Sequence, residues 1–408
     1  MRPGRLDELV ARTPPTRDRF VDLLRAASIC AVVFGHWFIG LIWWRHGLIG
    51  VHSAVGVTSG MWLATWFFQV MPIFFFVGGF ANLVALDAER RRGGSTWTFV
   101  RGRLVRLLRP SLVFLGVWLL VQVVLHLTDT GRPAGPTLWD GTRMLRGMLP
   151  PAATLPFGPL WFLGAYLVVV AVAPATVRLH RRFGLWVPAA MALATVAVDV
   201  VGFGLGHPGV RYLNIAPVLL FPHQLGHAYA DGSMLRWPRR RFWAMVATGL
   251  GGLVLLTNPW VFRAFGEARF RWFPTIGHYP KSLLGTDVEP ISNAYPPTVC
   301  FLLAGVWAVG AVMLLRPALV RWVGRPGPWK ATIFVNGIIM TLFLWHMTAY
   351  LIAILLLWPL GFGREADSTA RWWLERPVWT FVPALLLAGL VAVFGRFERP
   401  PRAAGRTL

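Results

Sequence analysis

Apolar runs of 18 or more residues recur from one end of this chain to the other, and that recurrence leaves few folds open. A run of that length crosses the ~30 Å hydrocarbon layer as a helix rising 1.5 Å per residue. The 408 residues are 56% apolar and only 14% charged, against about 25% charged in an ordinary soluble protein. The sequence therefore predicts an all-α, polytopic integral membrane protein. Ten spans are expected near residues 20–44, 61–86, 104–128, 157–176, 184–206, 211–230, 241–262, 296–316, 331–358 and 377–396. They form one transmembrane domain, 20–396, between tails 1–19 and 397–408. The Pro- and Gly-rich stretch 129–156 and the polar stretch 263–295 read as loops.

The net charge of +23 is spread in short arginine clusters between the apolar runs, a positive-inside pattern and not a nucleic-acid surface. With both termini inside, 27 of the 40 Arg and Lys fall on inner segments and 12 on outer ones. Anionic lipid is the partner this distribution implies. Pro14-Pro15 breaks the N-terminal tail, and the apolar run after it is too long for a cleaved leader, so the first span is expected to stay in place. Cys30 and Cys300 fall at different expected depths, which argues against a disulfide. No internal repeat is visible, which weakens a transporter built from inverted halves.

Two ionisable residues stand inside the first span, in "RDRFVDLLRAASICAVVFGHWFIGLIWW" (17–44), where each costs several kcal/mol without a reason to be there. Arg25 and His36 are eleven residues apart, so at 100° per residue they share one helix face, roughly 16 Å apart along the axis. Arg25 lies near the inner boundary, within reach of Asp22 at i−3. His36 lies past mid-membrane. A packed histidine bonded to a backbone carbonyl and an arginine anchoring a helix end would account for the same two residues.

The stretch "DLLRAASICAVVFGH" resembles the opening of acyltransferase family 3, whose first span carries a basic residue, ten residues and then histidine. Further segments are similar in the same order. "FFQVMPIFFFVGGF" (67–80) has Gly78 where many members have Ser. "FVRGRLVRLLRP" (99–110) resembles the arginine-rich start of the third span. "GPLWFLGAYL" (158–167) and "TLFLWHMTAYL" (341–351) resemble the fourth-span and late histidine segments. The resemblance implies a bacterial membrane enzyme that moves an acyl group, usually acetyl from cytoplasmic acetyl-CoA, to a hydroxyl of a glycan or lipid-linked acceptor. It implies no permanently bound cofactor or metal, with acyl-CoA as donor substrate.

The residues suit that task on their own chemistry. Arg101, Arg103, Arg106 and Arg109 make a basic patch on the same expected face as Arg25, and guanidinium forks bind phosphate oxygens of the kind coenzyme A carries. His36 is the candidate catalytic residue, as general base toward the acceptor hydroxyl or as acyl carrier. His346 shares its expected depth and is a candidate partner. Asp199 is a lone carboxylate in the fifth span, a candidate relay or histidine partner. His223 and His227 stand at i, i+4, a metal-compatible spacing, with only Asp231 as companion. Outer aromatics (Trp139, Trp260, Trp272, Tyr279, Tyr295, Trp372 and Trp373) could stack on sugar rings. The competing readings are a proton-coupled permease using Arg25, His36 and Asp199, and a non-catalytic membrane sensor.

Overall fold

The computed structural model describes residues 10, 13–14, 17–45, 48–128, 155–258, 279–285 and 292–398. Most of both expected tails, the loop 129–154 and most of 263–295 lie outside them. Among the described residues twelve helices form the fold: α1 (Arg19–Ile39), α2 (Trp62–Phe68), α3 (Met71–Arg91), α4 (Thr96–Thr128), α5 (Leu160–Phe183), α6 (Trp186–Asp199), α7 (Ile215–Ala230), α8 (Arg239–Thr257), α9 (Val299–Val323), α10 (Pro326–Asn336), α11 (Ile339–Leu357) and α12 (Ala370–Phe394). The protein is an all-α polytopic membrane protein.

Among the described residues eight stretches are long and apolar enough to cross a bilayer: Arg19–Ile39, Trp62–Arg91, Thr96–Val124, Leu155–Phe183, Trp186–Gly204, Val299–Val323, Ile339–Leu357 and Ala370–Glu398. The stretches near 211–230 and 241–262 are not among them. α7 has only 16 residues, because Pro208–Asn214 before it winds as a tighter 3-10 turn. α8 opens on Arg239, Arg240 and Arg241. Both still pack into the bundle, α7 along α3 and α8 along α9.

Several boundaries move for local reasons. The first helix stops at Ile39 and not near 44. Gly40–Arg45 (β1) turns back on Leu48–Ser53 (β2) as an antiparallel hairpin, with Gly40 opposite Ser53 and Trp43 opposite Gly50. The β-branched and aromatic residues of this stretch suit a strand as well as a membrane helix. The second span is split at Gln69–Val70 ahead of Pro72. The ninth is split at Gly337–Ile338, so α11 begins at Ile339. The last begins at Ala370, with Thr369 capping it by accepting from Trp372 N at 3.2 Å.

Two apolar clusters hold the bundle. One joins α1, α4, α11 and α12 through Trp37, Phe114, Trp345, Tyr350 and Trp379. The other joins α1, α3, α7 and α9 through Phe20, Phe76, Tyr229 and Val309. Gly79 and Gly226 let α3 and α7 approach until backbone meets backbone, since a Cβ on Gly79 would strike the His223 carbonyl and one on Gly226 the Phe76 carbonyl.

Polar clamps fix the two ends. At the end where α1 starts, Asp18 caps that helix by accepting from Val21 N at 3.1 Å and also accepts from the Tyr229 hydroxyl at 2.9 Å. Arg316 Nε donates to the same hydroxyl at 3.0 Å. Glu398 accepts from Met340 N, Thr341 N and Thr341 Oγ1, satisfying free donors of the first turn of α11. At the opposite end Arg376 of α12 stacks 4.0 Å over Trp372. Its Nη1 donates to the carbonyls of Trp37, Phe38 and Gly40 at 3.4, 3.3 and 3.2 Å, a cation set on the C-terminus of α1.

Candidate active site

Arg25 and His36 lie on one face of α1, as the spacing requires. Arg25 keeps 29% of its side chain exposed, with Nη1 4.0 Å from Asp22 Oδ1; Asp22 also accepts from Arg17. His36 is half-buried. The next residue, Trp37, is fully buried and donates its indole N–H to the His346 carbonyl at 3.1 Å, pinning α1 to α11.

That pin brings the two histidines together. His36 Nδ1 lies 3.2 Å from His346 Nε2, with ring centres 5.1 Å apart. His346 Nδ1 lies 2.7 Å from the Phe343 carbonyl. A carbonyl only accepts, so His346 Nδ1 carries a hydrogen, and in the neutral ring Nε2 offers a lone pair. His36 Nδ1–H donates to that lone pair. The proton pattern leaves the lone pair of His36 on Nε2, a nitrogen able to take a proton or attack a carbonyl carbon. The residue count that put His346 at the depth of His36 started from 331, whereas its helix starts at Ile339; the pairing rests on the contact itself.

The arginines divide. Arg103 is held by its Nη2 donating to the Ala81 carbonyl of α3 at 2.6 Å, and its guanidinium is within electrostatic range of Arg25, Arg106 and Tyr166. Arg25, Arg103 and Arg106 thus converge on one cationic patch at the end where α1 starts. Arg101 does not join them. It is exposed and, two residues before Arg103, projects about 200° away around α4. Asp22 stands beside Arg25 and Glu398 within range of Arg106, and the arginines held together beyond these carboxylates form a receptor for a polyanion.

Other expectations resolve into packing. Asp199 sits at the C-terminal end of α6 and meets no histidine. It accepts from Asn214 Nδ2 at 2.7 Å, the Tyr279 hydroxyl at 3.0 Å and Val299 N at 2.9 Å, tying α6 to α9. His223 and His227 are fully buried. His223 Nε2 is 3.2 Å from Asn82 Nδ2; His227 is 3.0 Å from the Gly79 carbonyl and 3.2 Å from Thr176 Oγ1. A third histidine, His180, extends the row, its Nε2 2.8 Å from Asp231 Oδ2 beside a cleft of about 480 Å³. Burial alone would raise the Asp231 carboxyl, but hydrogen bonds from Ser233 and His180 outweigh it and hold it below the ordinary carboxylate value. Among the outer aromatics, Tyr279 is spent on Asp199 and Trp372 is buried under Arg376, whereas Trp373 is 43% exposed. Trp139, Trp260 and Trp272 lie outside the described residues.

A column of rings links the patch to the histidine pair. Tyr166 stacks on Phe162 at 6.4 Å, Phe162 meets Phe343 at 5.9 Å, and Phe343 meets His346 at 6.3 Å. The i, i+4 pair Phe162–Tyr166 was the signal for one stripe of it; Phe343 needed the tertiary contact.

A cationic patch, an aromatic column and a histidine with a free ring nitrogen suit group transfer to or from an anionic carrier. The description "Acyltransferase domain" matches residues 18–395, nearly the whole chain. No curated protein and no solved structure matches. The match begins at the residue that caps the Arg25–His36 helix and ends just past the helix that clamps it, and the chain belongs to acyltransferase family 3, as an integral-membrane acyltransferase.

Proposed function

We propose that this enzyme moves an acyl group, acetyl by the family resemblance, from cytoplasmic acyl-CoA to a hydroxyl of a glycan or lipid-linked acceptor at the cell membrane, with His36 at the reacting centre. The observation that carries the reading is the contact of His36 Nδ1 with His346 Nε2 at 3.2 Å, His346 Nδ1 being at the Phe343 carbonyl, which supports a half-buried His36 ring with its lone pair on Nε2. Arg25, Arg103 and Arg106 grip the donor's phosphates by charge-assisted hydrogen bonds. The acyl thioester then lies along the Arg25–His36 face, whose ~16 Å span is of the order of a pantetheine arm. Arg101, on the other side of α4, meets lipid headgroups instead.

Two routes balance. In the first, His36 Nε2 takes the proton of the acceptor hydroxyl, the oxygen attacks the thioester carbon, the C–S bond breaks, and the proton passes from His36 to the departing thiolate. In the second, Nε2 itself attacks the thioester carbon, the C–S bond breaks and the thiolate leaves; the acceptor oxygen then displaces the acyl group from the imidazole, and the hydroxyl proton passes to the thiolate. His346 holds the ring in the reactive tautomer in both, as the carboxylate does for the histidine of a serine protease.

The test is a purified, lipid-reconstituted enzyme supplied with labelled acyl-CoA and envelope glycan or lipid extracts, with products read by mass spectrometry. Transfer by wild type and none by folded His36→Ala is expected. Wild-type turnover by His36→Ala would remove His36 from the chemistry. A pulse of labelled donor without acceptor separates the routes, since label held on His36 marks the acyl-imidazole. Reporter fusions complete the reading: one between α3 and α4 is expected inside and one within 263–295 outside.

A further inference from the structure

Between the arginine patch and the histidine pair stands a hydroxyl with no hydrogen-bond partner among the described residues, within electrostatic range of Arg103. It belongs to Tyr166 of α5, which is half-buried. Its ring is nonetheless tightly placed. It stacks on Phe162 with ring planes 21° apart and stands edge-on to Phe74 at 6.5 Å. It also lies against the bare backbone of Gly78, where an added Cβ would sit 3.1 Å from Tyr166 Cε2 and 3.4 Å from its oxygen. Gly78 is three residues from Ala81, whose carbonyl anchors Arg103, so the phenol lies about one helical turn from that arginine, on the way toward His36. Phe162, Phe343 and Phe74 around it offer no polar atom.

A donor arm threading this column brings two amides into a wall of rings. An amide drawn out of water needs a partner, and an orphaned one loses the free energy of a hydrogen bond several times over. We propose that Tyr166 is the positioning residue for the pantetheine arm, its hydroxyl donating to an amide carbonyl of the donor between the phosphates and the thioester. This rests on acyl-CoA being the donor. It adds a contact that reads the neutral arm, where the arginines read the charged end.

Donors cut at different points separate the two contacts. The full-length enzyme in lipid nanodiscs is assayed with acetyl-CoA, with S-acetylpantetheine, which keeps both amides and lacks the phosphates, and with S-acetyl-2-mercaptoethanol, which lacks the amides. Tyr166→Phe keeps the ring and removes only the oxygen. It is expected to raise KM for acetyl-CoA and S-acetylpantetheine by the same factor, about two- to tenfold for one neutral hydrogen bond, with kcat within about twofold. The amide-free thioester should not register the change. Arg103→Gln should show the complementary pattern, with KM raised for acetyl-CoA alone. Gly78→Ala, which crowds the phenol off its seat, should repeat the Tyr166→Phe pattern. An unchanged KM for both amide-bearing donors in Tyr166→Phe overturns the assignment, as does an equal rise for the amide-free thioester. If wild type transfers from none of the three, the donor reading itself fails and this inference falls with it; activity in wild type with an indifferent Tyr166→Phe sinks the inference alone.

Discussion

The protein holds two buried histidine groups, and they have opposite fates. In the α1–α11 seam, His346 spends one nitrogen on the Phe343 carbonyl and the other on His36, and His36 keeps Nε2 and part of its surface. In the α3–α5–α7 seam, His223 and His227 are wholly enclosed and bonded to Asn82, Gly79 and Thr176, while His180 is tied to Asp231. Both groups are ionisable side chains inside a membrane bundle, which by itself marks a candidate site. A nitrogen left over does not separate them, since His180 Nδ1 and His223 Nδ1 also lack a partner among the described residues; surface to reach it by and a cationic patch along the approach do.

The sharpest test of that contrast is His36→Ala, which should lower turnover by about 10²–10⁴ in protein that still folds, the range of a lost general base. Measured on monodisperse protein at saturating donor, a loss of less than tenfold would collapse the distinction between the two groups. Next in size is His346→Ala, which frees His36 to adopt the other tautomer. A kcat loss on the order of a hundredfold is expected, below the ~10⁴ seen when the orienting group of a catalytic histidine is spoiled, with donor KM little changed. His346→Gln, whose amide oxygen can accept the same N–H, should recover part of it.

Arg103→Gln should raise the KM for acyl-CoA about tenfold or more, since a charge-assisted hydrogen bond contributes roughly 1.5–3 kcal/mol. Arg101→Gln should leave that KM within about twofold, because its side chain leaves α4 on another side. Equal effects would mean the arginines act only as topological charge. The smallest effect on turnover belongs to the second seam. His227→Ala should leave activity per folded molecule within about threefold while lowering the thermal midpoint, as the Gly79 carbonyl and Thr176 lose their partner at about 1–3 kcal/mol. Thermal unfolding in detergent read beside turnover checks both halves, and a stable but inactive His227→Ala enzyme would break the comparison from the other side.

The features legible in the sequence were those set by local periodicity. Helical arithmetic put Arg25 and His36 on one face, and run length located the eight described stretches long and apolar enough to cross a membrane while adding two, near 211–230 and 241–262, that are not. The hairpin at 40–53 escaped because "GLIWW" is as apolar as the helix before it, so composition carried no boundary. The partners of Asp199 escaped because they come from 15, 80 and 100 residues further along the chain, and no local pattern joins them. The division of Arg101 from Arg103 was available in the angle between them, but which side of α4 faces the site is decided by where Ala81 lies.

The clamp of Arg376 on the end of α1 has a consequence for the order of events in synthesis. His36 is made well before its clamp, for the carbonyls closing its helix wait for a guanidinium more than 330 residues later. The ring that fixes its tautomer arrives 310 residues after it. A ribosome that has made α1 and not yet α11 and α12 has therefore inserted His36 without its alignment. The alignment of His36 is complete only once α11 and α12 are in place, so a chain stalled before them holds that ring in a helix with neither its partner nor its C-terminal clamp.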